Sequence, residues 1–248
     1  MTRPLVPPTH SWLRTGALVA AARLRPPVGS ARRRAVCGAA RVLTGLGLRV
    51  EVSAPSVAWP RTGRGAGPLL VANSVSALDA LVLQTALPGV VVAAVSDRVA
   101  GVAVPTVVPV AGRVAGVLSR GTPVVVRPEQ PARGGASLGR FSPALLAAAV
   151  ETGAPVCPVA LRYRGARDRP AGGSTVAALR WLRATPGVVV EVHLLPALSS
   201  AGANAAELAT LAEYAVAAVL VEPGRPAGPA GLAAGPRREP ARGGGITR

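Results

Sequence analysis

Half of the 248 residues are apolar, enough to bury the core of one α/β domain, and the net charge of +17 is carried by arginine alone because the chain has no lysine. With 29 Gly and 25 Pro beside that arginine the composition fits a GC-rich genome, so the basic excess names no ligand by itself, although its field attracts anionic lipid or polyanions. Only 2% of residues are aromatic, too few and too scattered for the stacking platforms of single-stranded nucleic-acid readers, and Cys37 and Cys157 stand outside any CxxC spacing, which reads as two reduced thiols with no zinc or disulfide framework.

Residues 1–10 are Pro-rich and are expected to be disordered. Ser11 is placed to cap a helix over residues 11–24, with Trp12, Leu13, Ala17, Ala20 and Leu24 apolar and with Pro26 and Pro27 ending it. A second helix fits residues 30–46, where Val36, Ala39, Ala40 and Leu43 recur at helical spacing among Arg33, Arg34 and Arg41. Residues 11–47 thus form a basic amphipathic pair, suited either to packing on the domain or to lying on a membrane surface. Arg14 breaks the apolar stretch near the start, so no secretory leader is expected. Residues 80–96 contain Gln84, Thr85, Pro88 and Gly89, so they are not expected to span a membrane.

The domain proper is expected over residues 48–222. Residues 48–52 read as its first strand and 53–67 as a Pro/Gly-rich connection. Apolar runs predict further strands at 68–72, 90–95, 107–110 and 123–126. Pro143 opens a helix that runs to residue 150 and stops at Gly153, before a buried strand over 154–161. A helix over 174–184, a strand over 188–194 and an Ala-rich helix over 205–221 complete the domain. Residues 223–248 are Pro, Gly, Ala and Arg-rich and are expected to be disordered. Strands alternate with helices, which argues for an α/β fold with a mostly parallel central sheet flanked by helices.

The strand at 68–72 and a helix over 77–87 place Asn73-Ser74-Val75-Ser76-Ala77-Leu78-Asp79 at a strand-to-helix turn, where open α/β sheets carry their chemistry. Read alone, Asn73 suits a turn and Asp79 a helix N-terminal charge. The spacing also resembles the Asn-His-four residues-Asp signature of the glycerolipid acyltransferases, with Ser74 in the place of the His. The resemblance to bacterial 1-acylglycerol-3-phosphate acyltransferases runs from about residue 48 to 221. Arg127-Pro128-Glu129-Gln130-Pro131 resembles the family's Phe-Pro-Glu-Gly-Thr block at Pro128 and Glu129, and Gly139-Arg140-Phe141-Ser142-Pro143 through Tyr163 resembles the family's stretch after that block. Residues 106–113, ending in Arg113, loosely resemble the family's Gly-rich block that ends in a phosphate-pairing Arg, with the helix that follows it in the family shortened here to about residues 114–120.

The resemblance implies a catalytic pair at Ser74 and Asp79, with Asn73, Arg113, Pro128 and Glu129 as substrate-binding positions. It further implies acyl-CoA or acyl-carrier protein as donor, a lysophospholipid such as lysophosphatidic acid as acceptor, membrane lipid as partner, and no cofactor or metal. It places the chain in the cytoplasm, peripheral to the inner face of the membrane, with the N-terminal helical pair at the lipid. In the family the His takes the proton of the acceptor hydroxyl and the Asp orients it. A serine hydroxyl cannot serve as that base. Impaired acyl transfer is therefore expected, with a non-catalytic lipid- or partner-binding relative as the alternative. Glu129 is a weaker substitute base, and His193 is expected on a strand with its neighbours Val192 and Leu194 facing the other side.

Overall fold

The computed structural model describes residues 29–54, 59–60, 65–131, 138–165 and 174–221. The expected helix over 11–24, the first ten residues and the C-terminal tail lie outside these residues. Of the N-terminal pair, the second member is α1 (Ala31–Gly45), whose first turn is capped by the Ser30 hydroxyl accepting from the Arg33 amide at 3.3 Å. It buries Ala35, Ala39, Val42 and Leu43.

Nine strands come next among the described residues: β1 (Arg49–Ser53), β2 (Leu69–Ala72), β3 (Val91–Ala93), β4 (Arg98–Val99), β5 (Val102–Ala103), β6 (Thr106–Val107), β7 (Val124–Val126), β8 (Val156–Arg164) and β9 (Val189–Leu194). Between them lie α2 (Asp79–Ala86), α3 (Ala111–Leu118), α4 (Ala147–Thr152) and α5 (Thr175–Ala184), with α6 (Ala205–Leu220) closing the series. Seven strands form one sheet in the order β1-β9-β8-β2-β7-β3-β6, and β4 with β5 makes a separate hairpin. Every neighbouring pair in the large sheet is parallel except β8 with β9. The mostly parallel α/β architecture is therefore as the alternation predicts.

Parallel sheets need cover on both faces, and the core divides accordingly. One face carries Leu70, Ala72, Val125, Cys157, Val159 and Leu161, packed on residues of α1, α2 and α5. The other carries Leu69, Val71, Val124, Val126, Val156 and Ala160, packed on α3, α4 and α6. Gly67 leads into β2 under a close backbone approach: a Cβ there would sit 2.5 Å from the Thr122 carbonyl carbon and oxygen.

Three local readings are corrected. The strand expected over 107–110 is only Thr106–Val107, because Val110 turns to start α3. That helix begins before Arg113 rather than after it. The helix opened by Pro143 starts as a 3-10 turn over Pro143–Leu145 and becomes α-helical at Ala147, ending at Gly153 with a left-handed φ of 66°.

Candidate functional site

β2, β7 and β8 run parallel, so Asn73, Arg127 and the last residues of β8 come together at one edge of the sheet. β2 ends opposite Val159, whereas β8 continues to Arg164. The extra length leaves Leu161 with an amide and a carbonyl that β2 does not reach, and buried backbone groups need partners. Asn73, itself fully buried, supplies both: its Nδ2 donates to the Leu161 carbonyl at 3.0 Å and its Oδ1 accepts from the Leu161 amide at 2.7 Å. The side chain continues the ladder where the strand has stopped.

Asp79 opens α2 and is fully buried. Its Oδ2 accepts from the amides of Val75 at 2.7 Å and Ser76 at 2.9 Å, while its Oδ1 accepts from the Tyr163 hydroxyl at 2.7 Å. Three of the roughly four acceptor positions of a carboxylate are thus taken by the protein's own donors. Burial pushes the Asp79 carboxyl above its ordinary value, against the opposing pull of those three hydrogen bonds and of the Arg127 charge. Burial and the facing Asp79 also hold the Tyr163 phenol well above its usual value, so it stays a hydrogen-bond donor. The Tyr163 ring meets Trp181 edge-on at a centroid distance of 5.8 Å.

Ser74, which stands where the resembled signature carries a His, is exposed. Its backbone amide donates to Glu129 Oε2 at 2.5 Å, and the Gly139 amide donates to Glu129 Oε1 at 2.8 Å. The Glu129 carboxylate therefore ties the turn after β2 to the segment before Pro143. Glu129 also forms an antiparallel bridge with Phe141, the Gln130 amide donates to the Arg140 carbonyl at 2.8 Å, and the Phe141 amide donates to Glu213 Oε2 at 2.8 Å. Pro128 is buried beside it, and its carbonyl accepts from the Ser142 amide at 2.9 Å.

Asn73, Ser74, Asp79, Pro128 and Glu129 thus form one constellation. Arg113 is exposed on α3, which leaves the same edge from β6, three strands from β2. The cation whose charge acts on Asp79 and Tyr163 is instead Arg127, immediately after β7, with a buried Nε that meets no hydrogen-bond partner among the described residues. The motif does not mark Tyr163; the signal for it is the period-2 alternation that sets it on the same face of β8 as Leu161. His193 pairs with Ala160 on β8, so it lies on the opposite face from Tyr163 and Asp79, with its Nε2 3.4 Å from Glu191. Cys157 is buried and its thiol is pushed up to about 12, which keeps it protonated and inert as a nucleophile. Chemically the constellation offers a hydroxyl, the shielded carboxyl of Asp79, the amide-bound carboxylate of Glu129, a phenol and one cation, with no imidazole or other base at position 74 itself.

The fold is similar to that in the crystal structure of the 1-acyl-sn-glycerophosphate (LPA) acyltransferase PlsC from Thermotoga maritima, at a TM-score of 0.57 and 18% sequence identity over 85% of this chain and 95% of that one. At this identity the likeness speaks for the shared α/β architecture. No protein-family model and no curated protein sequence matches the chain.

Proposed function

We propose that this chain is a glycerolipid-acyltransferase-type protein that binds a lysophospholipid and an acyl thioester at the edge formed by β2, β7 and β8, with acyl transfer strongly impaired. The observation that carries the reading is the division of labour within the motif. Asn73 and Asp79, the two matching members, are buried and hold backbone groups, while the one exposed position carries a hydroxyl in place of a base. The carboxylate beside Ser74 is that of Glu129, and its two oxygens already accept from the Ser74 and Gly139 amides, so in this reading it ties two segments together rather than serving as the base that nucleophile or acceptor activation needs. In this reading Arg127 is the cation nearest to an acceptor phosphate, because its guanidinium fork suits phosphate oxygens.

A second reading, a wholly non-catalytic lipid- or partner-binding protein, is favoured by the same hydrogen bonds: the fold alone accounts for Asn73 and Asp79. One comparison separates the two. The natural protein and a Ser74→His variant are assayed with acyl-CoA and lysophosphatidic acid, and ligand binding is followed separately by thermal shift. The proposal expects binding by both forms and a turnover about 10²-fold or more higher in the variant, since Oδ1 of Asp79 keeps one acceptor position for an imidazole N–H. Turnover in the natural protein equal to that of the variant and lost in Asp79→Asn would overturn the impaired-site reading. Ligand binding by both with no turnover from either would favour the non-catalytic one, and no binding by either would remove the lipid substrate class.

A further inference from the structure

β3 and β6 pair in parallel, with Ala93 opposite Val107 and the Ala94 amide donating to the Val107 carbonyl at 3.0 Å, so the chain leaves both strands side by side at the sheet edge that carries the candidate site. What leaves there is apolar and uncovered. Val95 is 92% exposed, Val108 57% and Val110 55%. The other exposed valines, such as Val52 and Val176, sit singly on separate elements, which is ordinary for a protein surface. Three branched aliphatic side chains on adjacent loop ends are not ordinary, because the unfavourable contact with water is concentrated in one place.

The surroundings indicate what covers them. Arg98 and Arg113 are exposed in the same stretch, Asp97 is its one acid, and the chain as a whole carries +17. The tip is built of loop ends rather than a groove, so it is shaped to enter a soft medium and not to receive a side chain. A stable protein partner needs about 800 Å² per side, more than three valines on loop ends offer. A bilayer asks for less: a few aliphatic side chains below the headgroups and cations level with them. We infer that the Val95, Val108 and Val110 tip, with Arg98 and Arg113 at its rim, docks the protein on an anionic lipid surface and sets the β2-β7-β8 edge against the headgroups.

The inference rests on the lipid-handling reading of that edge and adds the surface that presents it. The test is co-sedimentation of the full chain with phosphatidylcholine vesicles containing or lacking phosphatidylglycerol, for the natural protein, a Val95→Asp/Val108→Asp/Val110→Asp variant and a Val52→Asp/Val176→Asp control, each checked for fold by circular dichroism. The expected result is binding to the anionic vesicles that drops about tenfold or more in the triple variant and is unchanged in the control. Equal binding by the triple variant and the natural protein, or equal loss in the control, would overturn the inference. Binding indifferent to phosphatidylglycerol would remove the anionic partner. Lysophosphatidic acid binding, followed by thermal shift without vesicles, is scored beside these arms: its retention in a triple variant that no longer sediments separates a docking surface from the ligand site, and its absence in the natural protein sinks the ligand reading without touching the vesicle result.

Discussion

Two buried polar side chains fix the turn between β2 and α2, each by replacing backbone partners that the fold does not supply. Asn73 presents one donor and one acceptor to the two orphaned groups of Leu161, a match that neither an apolar nor a charged residue of its size reproduces. Asn73→Ala leaves both groups buried and unpaired, at about 1–3 kcal/mol each, so urea unfolding should lose about 2–6 kcal/mol; a loss below about 1 kcal/mol would mean that water reaches Leu161. Asp79 makes a different case because it titrates. Burial dominates and raises its folded pKa above the ordinary value of 3.8. A raised folded pKa means that the native state holds the proton more tightly, so the contribution of Asp79 is fullest below 3.8 and declines as pH rises through the folded pKa. Asp79→Asn lacks that dependence, and its amide still accepts from Val75 and Ser76 while facing the Tyr163 oxygen. The variant should therefore gain stability relative to the natural protein between acid and neutral pH. Denaturation midpoints of both proteins over that range check the sign, and a gap that widens against the variant would show that the three hydrogen bonds outweigh burial.

The elements are ordered by what the chain does at their ends. Gly67 admits the backbone of Thr122 at a distance no Cβ tolerates, and the Gly67 amide donates to the Leu118 carbonyl at 2.8 Å, which pins the entry of β2 against α3. Gly67→Ala must push backbone rather than a side-chain tip, so a loss of about 1–3 kcal/mol is expected in a thermal or urea melt, with the strands beside β2 losing amide protection first. Most elements are legible in the sequence because their signals are local: helical spacing of Val36, Ala39, Ala40 and Leu43 for α1, Gly153 as a stop, and unbroken apolar runs for β2, β7 and β8. Less local features are not. That β9 turns against β8 depends on which edge α5 leaves and returns to, and no periodicity records it. The β4-β5 hairpin spans two residues per strand, too short for alternation to show. The candidate site is half legible for the same reason. Asn73 and Asp79 are singled out by the resemblance of one short stretch to a family signature, whereas Tyr163 lies 84 residues away from Asp79 and reaches it only through the register of β8 on β2.

At the scale of the molecule, charge and shape pull in opposite directions. A net charge of +17, with every basic charge an arginine, remains at every physiological pH, and like charges on one chain repel one another. Arg49 and Arg164 form ion pairs with Glu51 and Glu191, and in both pairs the arginine is mostly exposed, so the pairs contribute little. With 11 acids against 28 arginines, most of the basic charge has no carboxylate to meet. The field is therefore left to mobile ions, whose screening length falls to about 10 Å at 0.1 M salt. Raising sodium chloride from low to physiological concentration should raise the melting temperature by relieving self-repulsion, with most of the gain before that length is reached. The same salt should weaken attachment to anionic vesicles, because that attachment draws on the field which destabilises the fold. Paired melting and sedimentation curves over one salt series measure both. Opposite slopes are the expected outcome, and a melting temperature that falls with salt would mean that the arginines are neutralised within the protein, leaving the lipid surface nothing long-range to attract.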